Sequence, residues 1–246
     1  MDLQIAGRRA AVAAASAGLG FACAQALAAE GVEVAICGRD EDRLARASEA
    51  LGGAPAIRAD LSSVDQAVEF VRTARERLGG LDILVVNAGG PKPGALGEVG
   101  LDDYRDAVDL NLMSAIAMVE EALPTMRAQR WGRIVAITSI TVRQPRPDLI
   151  TSNTIRAAVT GYLDTVADAV ARDGVTVNTV QPGSHATERL RRLAGDLDQV
   201  ARRIPVGFVG DPRDFGAVVA FLCSEHARFI TGTSLLVDGG EYRGVM

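Results

Sequence analysis

The alternation of short apolar segments with longer amphipathic segments is the feature that most constrains how this chain folds. Segments such as Val32–Cys37, Ile83–Val86 and Arg133–Thr138 are short and rich in Val, Ile and Ala. Short apolar runs separated by helical patterns indicate strands joined by helical crossovers, and therefore a parallel sheet covered on both faces. We predict an α/β fold with one doubly wound sheet of about seven parallel strands.

The predicted elements account for residues 1–246 as a single domain. Strands are predicted at Arg9–Ala14, Val32–Cys37, Ala56–Ala59, Ile83–Val86, Arg133–Thr138, Val175–Val180 and Ser234–Val237. Helices are predicted from the glycine-bearing turn to about Glu30, over Asp40–Leu51, from a Ser62 cap to Leu78, from about Asp102 to Met126, from about Ser152 to Arg172 and over Asp211–Ser224. The largest insertion, residues 183–207, is expected to be irregular or helical and to form a substrate lid.

Composition and charge exclude several classes of function. Of the 246 residues, 48% are hydrophobic and 23% are charged, which predicts a globular core rather than a disordered chain. The net charge of −5 argues against a nucleic-acid partner, and the lack of a long apolar run argues against a membrane partner. The first residues do not resemble a signal peptide, and three widely spaced cysteines suit a reducing cytoplasm and predict no metal site.

A glycine-bearing turn follows the first strand and precedes the first helix. It contains Ser16, Gly18, Leu19 and Gly20. Glycines at this place let a pyrophosphate approach backbone N–H groups at a helix N-terminus, where the helix dipole favours an anion. The same residues also suit an ordinary tight strand-to-helix turn.

The second predicted strand ends next to an arginine. An acidic residue at such a tip binds the ribose 2′-hydroxyl of NAD, whereas an arginine suits the 2′-phosphate of NADP. Here Arg39 follows Gly38, which favours NADP as the cofactor. The alternative is a solvated arginine that faces Asp40 and Glu41.

Further short motifs follow the later strands in a fixed order. They are Asp60-Leu61, Asn87-Ala88-Gly89, Asn111, Ser139, Val177-Asn178, Pro182-Gly183 and Asp238-Gly239-Gly240. With this order and spacing, the chain resembles the short-chain dehydrogenase/reductase family, and in particular its 3-oxoacyl-carrier-protein reductase-like members, along almost its whole length. The resemblance implies a Rossmann-like domain that reduces carbonyls or oxidises alcohols with NAD(P), and it implies a homotetramer.

The resemblance also assigns residues to the cofactor. It implies that Asp60 and Leu61 flank the adenine and that Asn87-Ala88-Gly89 supports the central strands and the cofactor. Pro182, Gly183 and Thr187 are expected along the nicotinamide. With the residues considered above, the predicted cofactor set is Ser16, Gly18, Leu19, Gly20, Arg39, Asp60, Leu61, Asn87, Ala88, Gly89, Arg156, Pro182, Gly183 and Thr187.

The chain departs from the family at the catalytic Tyr-x-x-x-Lys pair. Ser152 occupies the position of the tyrosine and Arg156 that of the lysine. A spacing of four residues keeps both on one helix face. A serine hydroxyl is far less acidic than a phenol, and an arginine does not lose its proton. Arg156 can therefore donate to ribose hydroxyls but cannot end a proton relay.

Two other members of the family's catalytic set are present. The resemblance implies that Ser139 donates to the substrate carbonyl and that Asn111 holds a water. The alternatives are an ordinary serine at a strand end and an asparagine that bonds a helix kink. The predicted catalytic set is Ser139, Asn111, Ser152 and Arg156.

The family's first turn glycine is also missing, since the chain reads Ala13-Ala14. If that position needs a positive φ, the added methyl group costs about 1–2 kcal/mol.

Several other side chains are candidates to replace the missing acid. Tyr162 lies too far along its helix to reach the same pocket, and Tyr104 and Tyr242 need loops to bring them in. A lone loop histidine such as His185 is more often exposed to solvent, and Lys92 is more often an exposed loop cation.

Two functions compete on this evidence. The first is an NADP(H)-dependent oxidoreductase that acts on a small carbonyl or alcohol substrate with a non-standard catalytic set. The alternative is a weak or inactive nucleotide-binding or scaffolding protein; nothing in the sequence favours a lyase or isomerase. Five lid arginines either attract an anionic or carrier-bound substrate or form a solvated face: Arg189, Arg191, Arg192, Arg202 and Arg203.

Overall fold

The computed structural model describes residues 1–245 and contains one seven-stranded sheet. Its strands are β1 (Arg9–Val12), β2 (Glu33–Gly38), β3 (Ala56–Arg58), β4 (Ile83–Val86), β5 (Gly132–Ile137), β6 (Val175–Pro182) and β7 (Ser234–Val237). They lie in the order β3-β2-β1-β4-β5-β6-β7, and every neighbouring pair is parallel. The strand order reverses between β1 and β4, which is where doubly wound sheets bind ligands. The predicted fold class is confirmed.

Nine α-helices connect the strands within the described residues. They are α1 (Gly18–Ala29), α2 (Glu41–Ala50), α3 (Val64–Leu78), α4 (Leu101–Ala107), α5 (Ser114–Ala128), α6 (Ile150–Val170), α7 (Glu188–Ala194), α8 (Leu197–Ala201) and α9 (Pro212–Leu222). A π-helical turn joins α4 to α5 at Val108–Met113. None of the helices between residues 1 and 245 is both long and apolar enough to cross a membrane.

The two faces of the sheet carry separate apolar cores because successive strand residues point to opposite sides. On β1, Ala11 packs with the residues of α3, α5 and α6, whereas Ala10 and Val12 pack with those of α1, α2 and α9. Phe70 fills the first core and Phe215 the second, and both are fully buried. The helices are thereby fixed on both faces, and the loops at the carboxyl ends of the strands are held at one edge.

The cap of α3 differs from the prediction. Ser63, not Ser62, is the N-cap, and its hydroxyl accepts from the Gln66 N–H at 3.4 Å. The Asp60 carboxylate accepts both from the backbone N–H and from the hydroxyl of Ser62. Because this local turn occupies Ser62, the helix begins one residue later.

The long helix predicted from Asp102 to Met126 is interrupted. The π-helical turn inserts extra backbone there, so Asn111 is buried and its Nδ2 donates to the Gly89 carbonyl at 2.9 Å. Strand β6 extends to Pro182, beyond the predicted end at Val180, because it pairs with β7 up to Val237. Both differences depend on tertiary partners that local propensity does not contain.

A polar cluster closes the amino edge of the sheet, opposite the ligand edge. Asp82 is 1% exposed and accepts from the backbone N–H of Arg9 at 2.9 Å and from its Nε at 2.7 Å. The Gln129 Nε2 donates to the same carboxylate at 3.2 Å. Asp82 thereby ties the start of β1 to the start of β4 and the end of α5.

Replacing Asp82 should cost much of the stability of the domain. We expect Asp82→Ala to lower the free energy of unfolding by about 3 kcal/mol, since it leaves the Arg9 donors without their buried acceptor. Asp102→Ala removes an exposed ion pair with Arg105 and should cost less than about 0.5 kcal/mol. Urea unfolding followed by circular dichroism measures both, and equal small losses would contradict the assigned role of Asp82.

Candidate active site

The turn between β1 and α1 leaves donors free at the N-terminus of α1. Its N-cap residue, Ala17, has no side chain that could cap the helix, and the first turn contains no acidic residue. Gly18 has a φ of +64°, which glycine adopts without strain. Unpaired N–H groups and a helix dipole fit the pyrophosphate of a dinucleotide.

Asn87 holds the turn closed from the end of β4. Its Nδ2 donates to the carbonyls of Ala13 at 3.3 Å and of Ala14 at 3.2 Å. A Cβ at Gly20 would lie 2.6 Å from the Ala14 oxygen and 2.7 Å from the Asn87 nitrogen, so only glycine fits there. Asn87 and Gly20 therefore shape the turn, and Ala88 and Gly89 continue from Asn87 toward the next part of the site.

Ala14 occupies the strained position in this turn. It is one of three non-glycine residues with a positive φ among those described, at +47°. An L-residue in this left-handed region costs about 1–2 kcal/mol. Ala14, which stands where the family has a glycine, therefore has the positive φ that makes the added methyl group costly.

The adenosine end of the site lies at the tips of β2 and β3. A Cβ at Gly38 would lie 3.0 Å from the Ser16 hydroxyl, so the turn and the β2 tip pack closely. The Arg39 side chain is 68% exposed, and its Nη1 lies 3.9 Å from the Asp60 carboxylate. Hydrogen bonds from the N–H and the hydroxyl of Ser62, and then the charge of Arg39, lower the pKa of Asp60. Arg39 is thus accessible to a ligand and only loosely paired with Asp60, which fits a 2′-phosphate.

Leu61 has a different surrounding from its neighbour Asp60. It is 4% exposed and belongs to the core that contains Phe70. Its side chain therefore packs into the core below this region, and Asp60 is the member of the pair that is accessible to a ligand.

The predicted catalytic residues converge at the ends of β4 and β5. The Ser139 hydroxyl accepts from the Thr141 N–H at 3.1 Å, which leaves its proton to donate. The Arg156 Nη1 donates to the Ile137 carbonyl at 2.7 Å, at the end of the strand that Ser139 follows. Asn111 reaches the neighbouring Gly89 from the π-helical turn, and its Oδ1 is buried without a hydrogen-bond partner among residues 1–245. This orphaned acceptor suits a bound water.

Arg156 remains a cation in this site. Burial and, next, the charge of Arg189 lower its pKa to about 10. At neutral pH the guanidinium is still protonated, and it has no proton-accepting form to contribute. Ser152 lies one helical turn earlier on α6 and is 9% exposed. The pair that replaces Tyr and Lys thus supplies a fixed charge and a short hydroxyl.

The other candidate acids are engaged elsewhere. The Tyr162 hydroxyl donates to the Glu120 carboxylate at 3.2 Å, and burial raises its pKa. Lys92 forms an ion pair with Asp103 at 3.0 Å. The Tyr242 ring lies 6.0 Å from the Arg143 guanidinium.

The interpretation of His185 as solvent-exposed is wrong. The side chain is 6% exposed, its Nδ1 lies 3.1 Å from the Gly183 carbonyl oxygen, and its ring packs edge-on against Phe215 at 5.2 Å. Burial lowers its pKa. His185 therefore packs against the core and anchors the start of the insertion. The sequence interpretation failed because the position of a histidine in the chain does not reveal an aromatic partner that is distant in sequence.

The insertion after β6 reaches back over the site. Gly183 donates its N–H to the Val237 carbonyl at 3.0 Å, which fixes the Pro182-Gly183 corner on β7. Thr187 is the N-cap of α7, and its methyl group lies 3.8 Å from where a Cβ of Gly18 would be. The structure also brings Arg189 to the Gly90 carbonyl at 3.3 Å. In the sequence, Arg189 is one of five lid arginines, and no sequence signal distinguishes it from the others.

The parallel sheet, the glycine turn and the cluster at the strand ends define a dinucleotide-binding α/β protein. A family model described as enoyl-(acyl carrier protein) reductase matches residues 13–241. The chain is 32% identical over 237 residues to the 3-oxoacyl-[acyl-carrier-protein] reductase FabG of Staphylococcus epidermidis, covering 94% of this chain and 97% of that protein. It belongs to the short-chain dehydrogenase/reductase family.

Other relatives extend this comparison. The chain is 31% identical over 237 residues to the acetoacetyl-CoA reductase of Shinella zoogloeoides, covering 96% of this chain and 98% of that protein. The solved structure of L-sorbose reductase from Gluconobacter frateurii with NADPH and L-sorbose matches with a TM-score of 0.92 at 29% identity, covering 100% of both chains.

The strain at Ala14 gives a direct test of the turn geometry. We expect Ala14→Gly to raise the free energy of unfolding by about 0.5–1 kcal/mol, because relief of the left-handed conformation exceeds the extra entropy of glycine in the unfolded chain. Ala13→Gly, at a buried neighbour without a positive φ, should instead destabilise the protein. Chemical denaturation of both variants is the measurement, and destabilisation by both would refute the strain.

Proposed function

We propose that this protein is an NADP(H)-dependent oxidoreductase that interconverts a carbonyl and an alcohol with a non-standard catalytic set. The observation that carries the proposal is that three features lie at the carboxyl ends of the strands. They are an uncapped helix N-terminus, an accessible Arg39 and a Ser139 hydroxyl with a free proton. Relatives of this fold are reductases, and several solved neighbours contain NADPH or NADP.

The chain offers a residue set for each part of the cofactor. Backbone donors of the turn around Gly18 and Leu19 would bind the pyrophosphate, while Arg39 and Asp60 would bind the adenosine half. Thr187 and the Pro182-Gly183 corner would border the nicotinamide. When bound, NADPH supplies the hydride for the carbonyl carbon.

The chain's own catalytic contribution is electrostatic. Ser139 would donate a hydrogen bond to the carbonyl oxygen, and this bond strengthens as negative charge develops there. Arg156 would hold the ribose and add a fixed positive charge. The proton that completes the alcohol would come from water, since neither Arg156 nor Ser152 is a suitable acid. Loss of a general acid costs about 10²–10⁴ in rate, so slow turnover is expected.

A nucleotide-binding protein without catalysis is the second candidate. The replacement of the Tyr and Lys positions by Ser152 and Arg156 favours it. Single-turnover oxidation of bound NADPH with a panel of aldehydes and ketones separates the two functions. Cofactor binding without any hydride transfer would support the second candidate and contradict the first.

Arg39 should set the cofactor preference. We expect Arg39→Ala to weaken NADPH binding about tenfold or more and to leave NADH binding unchanged, because only NADPH carries a 2′-phosphate for this guanidinium. Isothermal titration calorimetry measures the four affinities. Arg46→Ala, on the exposed side of α2, is the matched control. Equal affinity for both cofactors in the wild type would count against the preference.

The catalytic residues should rank in a definite order. We expect Ser139→Ala to lower kcat about tenfold or more, whereas Arg156→Ala mainly raises the KM for the cofactor and Ser152→Ala has little effect. The double variant Ser152→Tyr with Arg156→Lys should raise kcat by restoring a phenol beside an ammonium. Steady-state kinetics tests the order. Abolished activity in Ser152→Ala would show that Ser152 belongs to a proton relay.

We further propose a cytoplasmic homo-oligomer, with a tetramer as the expected form. All three cysteines are free and buried, which suits a reducing compartment. Phe229 is fully exposed and Leu235 on the outermost strand β7 is 37% exposed, so this side of the sheet offers an apolar surface. Light scattering should give about four times the chain mass of 25.7 kDa, and a mass near 25.7 kDa would contradict assembly.

A further inference from the structure

The guanidinium of Arg189 lies flat against the backbone that follows β4. It donates to the carbonyls of Gly90 at 3.3 Å and of Pro91 at 3.4 Å. A Cβ at Gly90 would overlap with all three guanidinium atoms nearest to it, Cζ, Nη1 and Nη2. The lid arginine therefore occupies this position only because residue 90 has no side chain.

Arg156 provides a second guanidinium nearby. It lies on α6, whose first turn contacts the same loop, since the Thr151 hydroxyl donates to the Lys92 carbonyl at 2.7 Å. The charge of Arg189 also contributes to the lowered pKa of Arg156. Within residues 1–245, neither of them forms an ion pair with a carboxylate. Of the five lid arginines, only Arg192 forms an ion pair among the described residues, with Glu188 at 2.5 Å. What distinguishes Arg189 is its contact with the Gly90 and Pro91 carbonyls.

Two positive charges near each other without a carboxylate partner attract an anion, and the exposed Arg189 is accessible to one from solvent. Each guanidinium keeps N–H groups beyond those that bind the backbone carbonyls. The fork of an arginine matches a carboxylate in a bidentate geometry, and charge-assisted hydrogen bonds are the stronger kind. The pair is therefore suited to a small planar anion.

The location separates this anion from the cofactor's pyrophosphate. The pyrophosphate position is at Gly18, beyond the end of β1, whereas Arg156 and Arg189 contact the ends of β5 and β4. Ser139, the donor for the reacting carbonyl, follows the same strand β5. The paired arginines thus border the substrate half of the site.

We propose that Arg189 binds a carboxylate of the substrate close to the carbonyl that is reduced, with Arg156 as a second positive charge nearby, so that the substrates are short oxo acids in the free form. This inference rests on the proposed function for the reaction, but the anion site itself does not depend on turnover. Arg189 is the specificity-determining residue, and Gly90 is the positioning residue that makes room for it.

Binding of matched acids and esters tests the assignment. The probes are short 2-, 3- and 4-oxo carboxylates and their methyl esters, titrated calorimetrically into the protein loaded with NADP⁺, in which they cannot be reduced. At least one acid should bind about tenfold or more tightly than its ester. Arg189→Leu should abolish that difference. Arg191→Leu, the same charge change at an exposed position of α7, should keep it.

Gly90→Ala gives an independent variant that leaves Arg189 in the chain. Gly90 has no positive φ, so alanine is compatible with the backbone, but its methyl group displaces the guanidinium. We expect the same loss of acid selectivity, with no further loss when Arg189→Leu is added. Retained selectivity in Gly90→Ala or in Arg189→Leu would overturn the proposal, as would equal binding of every acid and its ester in the wild type.

Two controls separate the possible failures. If Arg189→Leu weakens NADP⁺ binding by the same factor as acid binding, the arginine serves the cofactor phosphates and the substrate assignment is wrong. If acid-selective binding is present and depends on Arg189 but NADPH is never oxidised, the oxidoreductase function fails while the carboxylate site stands. A preference of the wild type for carrier-bound 3-oxoacyl thioesters over the free acids would also contradict the inference.

Discussion

The parallel pairing of β4 with β1 on one side and β5 on the other is the constraint on which the rest of the structure depends. It places Asn87 beside the β1–α1 turn, where its amide closes the backbone around Gly20. It also brings together the carboxyl ends of β4 and β5, which the Gly89-Gly90 segment and Ser139 follow. A doubly wound sheet thereby collects groups that are distant in sequence at one edge, whereas the opposite edge carries the buried Asp82 cluster.

The site combines preserved architecture with altered chemistry. Gly18, Gly20 and Asn87 shape a turn that fits a pyrophosphate, although Ala14 stores strain in it. On α6, Ser152 and Arg156 lie at the positions where the resemblance to the family implies a tyrosine and a lysine. Because the geometry of cofactor binding depends mainly on backbone groups and the proton relay depends on side chains, a chain can lose the second while it keeps the first. Membership of the family therefore accounts for the cofactor-binding framework. The rate of the proposed reaction would depend on which groups take over the role of the proton relay.

Electrostatics gives the altered site a positive character. Arg156 on α6 and Arg189 in the lid contact backbone carbonyls, and neither has an acidic partner within the described chain, although the protein as a whole is acidic. A fixed cation near a developing oxyanion stabilises it without transferring a proton. The same charge that makes Arg156 unsuitable as an acid would attract the negatively charged substrate that we propose.

The sequence by itself determined the parallel α/β fold, the strand positions within a few residues and the motifs at the strand ends, because strand alternation and glycine turns are local signals. It also predicted, from the resemblance to the family, that Ser152 and Arg156 stand at the Tyr and Lys positions, and this assignment stays a prediction. Tertiary structure alone decided the π-helical turn around Asn111, the burial of His185 against Phe215 and the placement of Arg189 on Gly90. Each of these joins residues far apart in the chain, and the energy of such contacts depends on packing partners that no local pattern encodes.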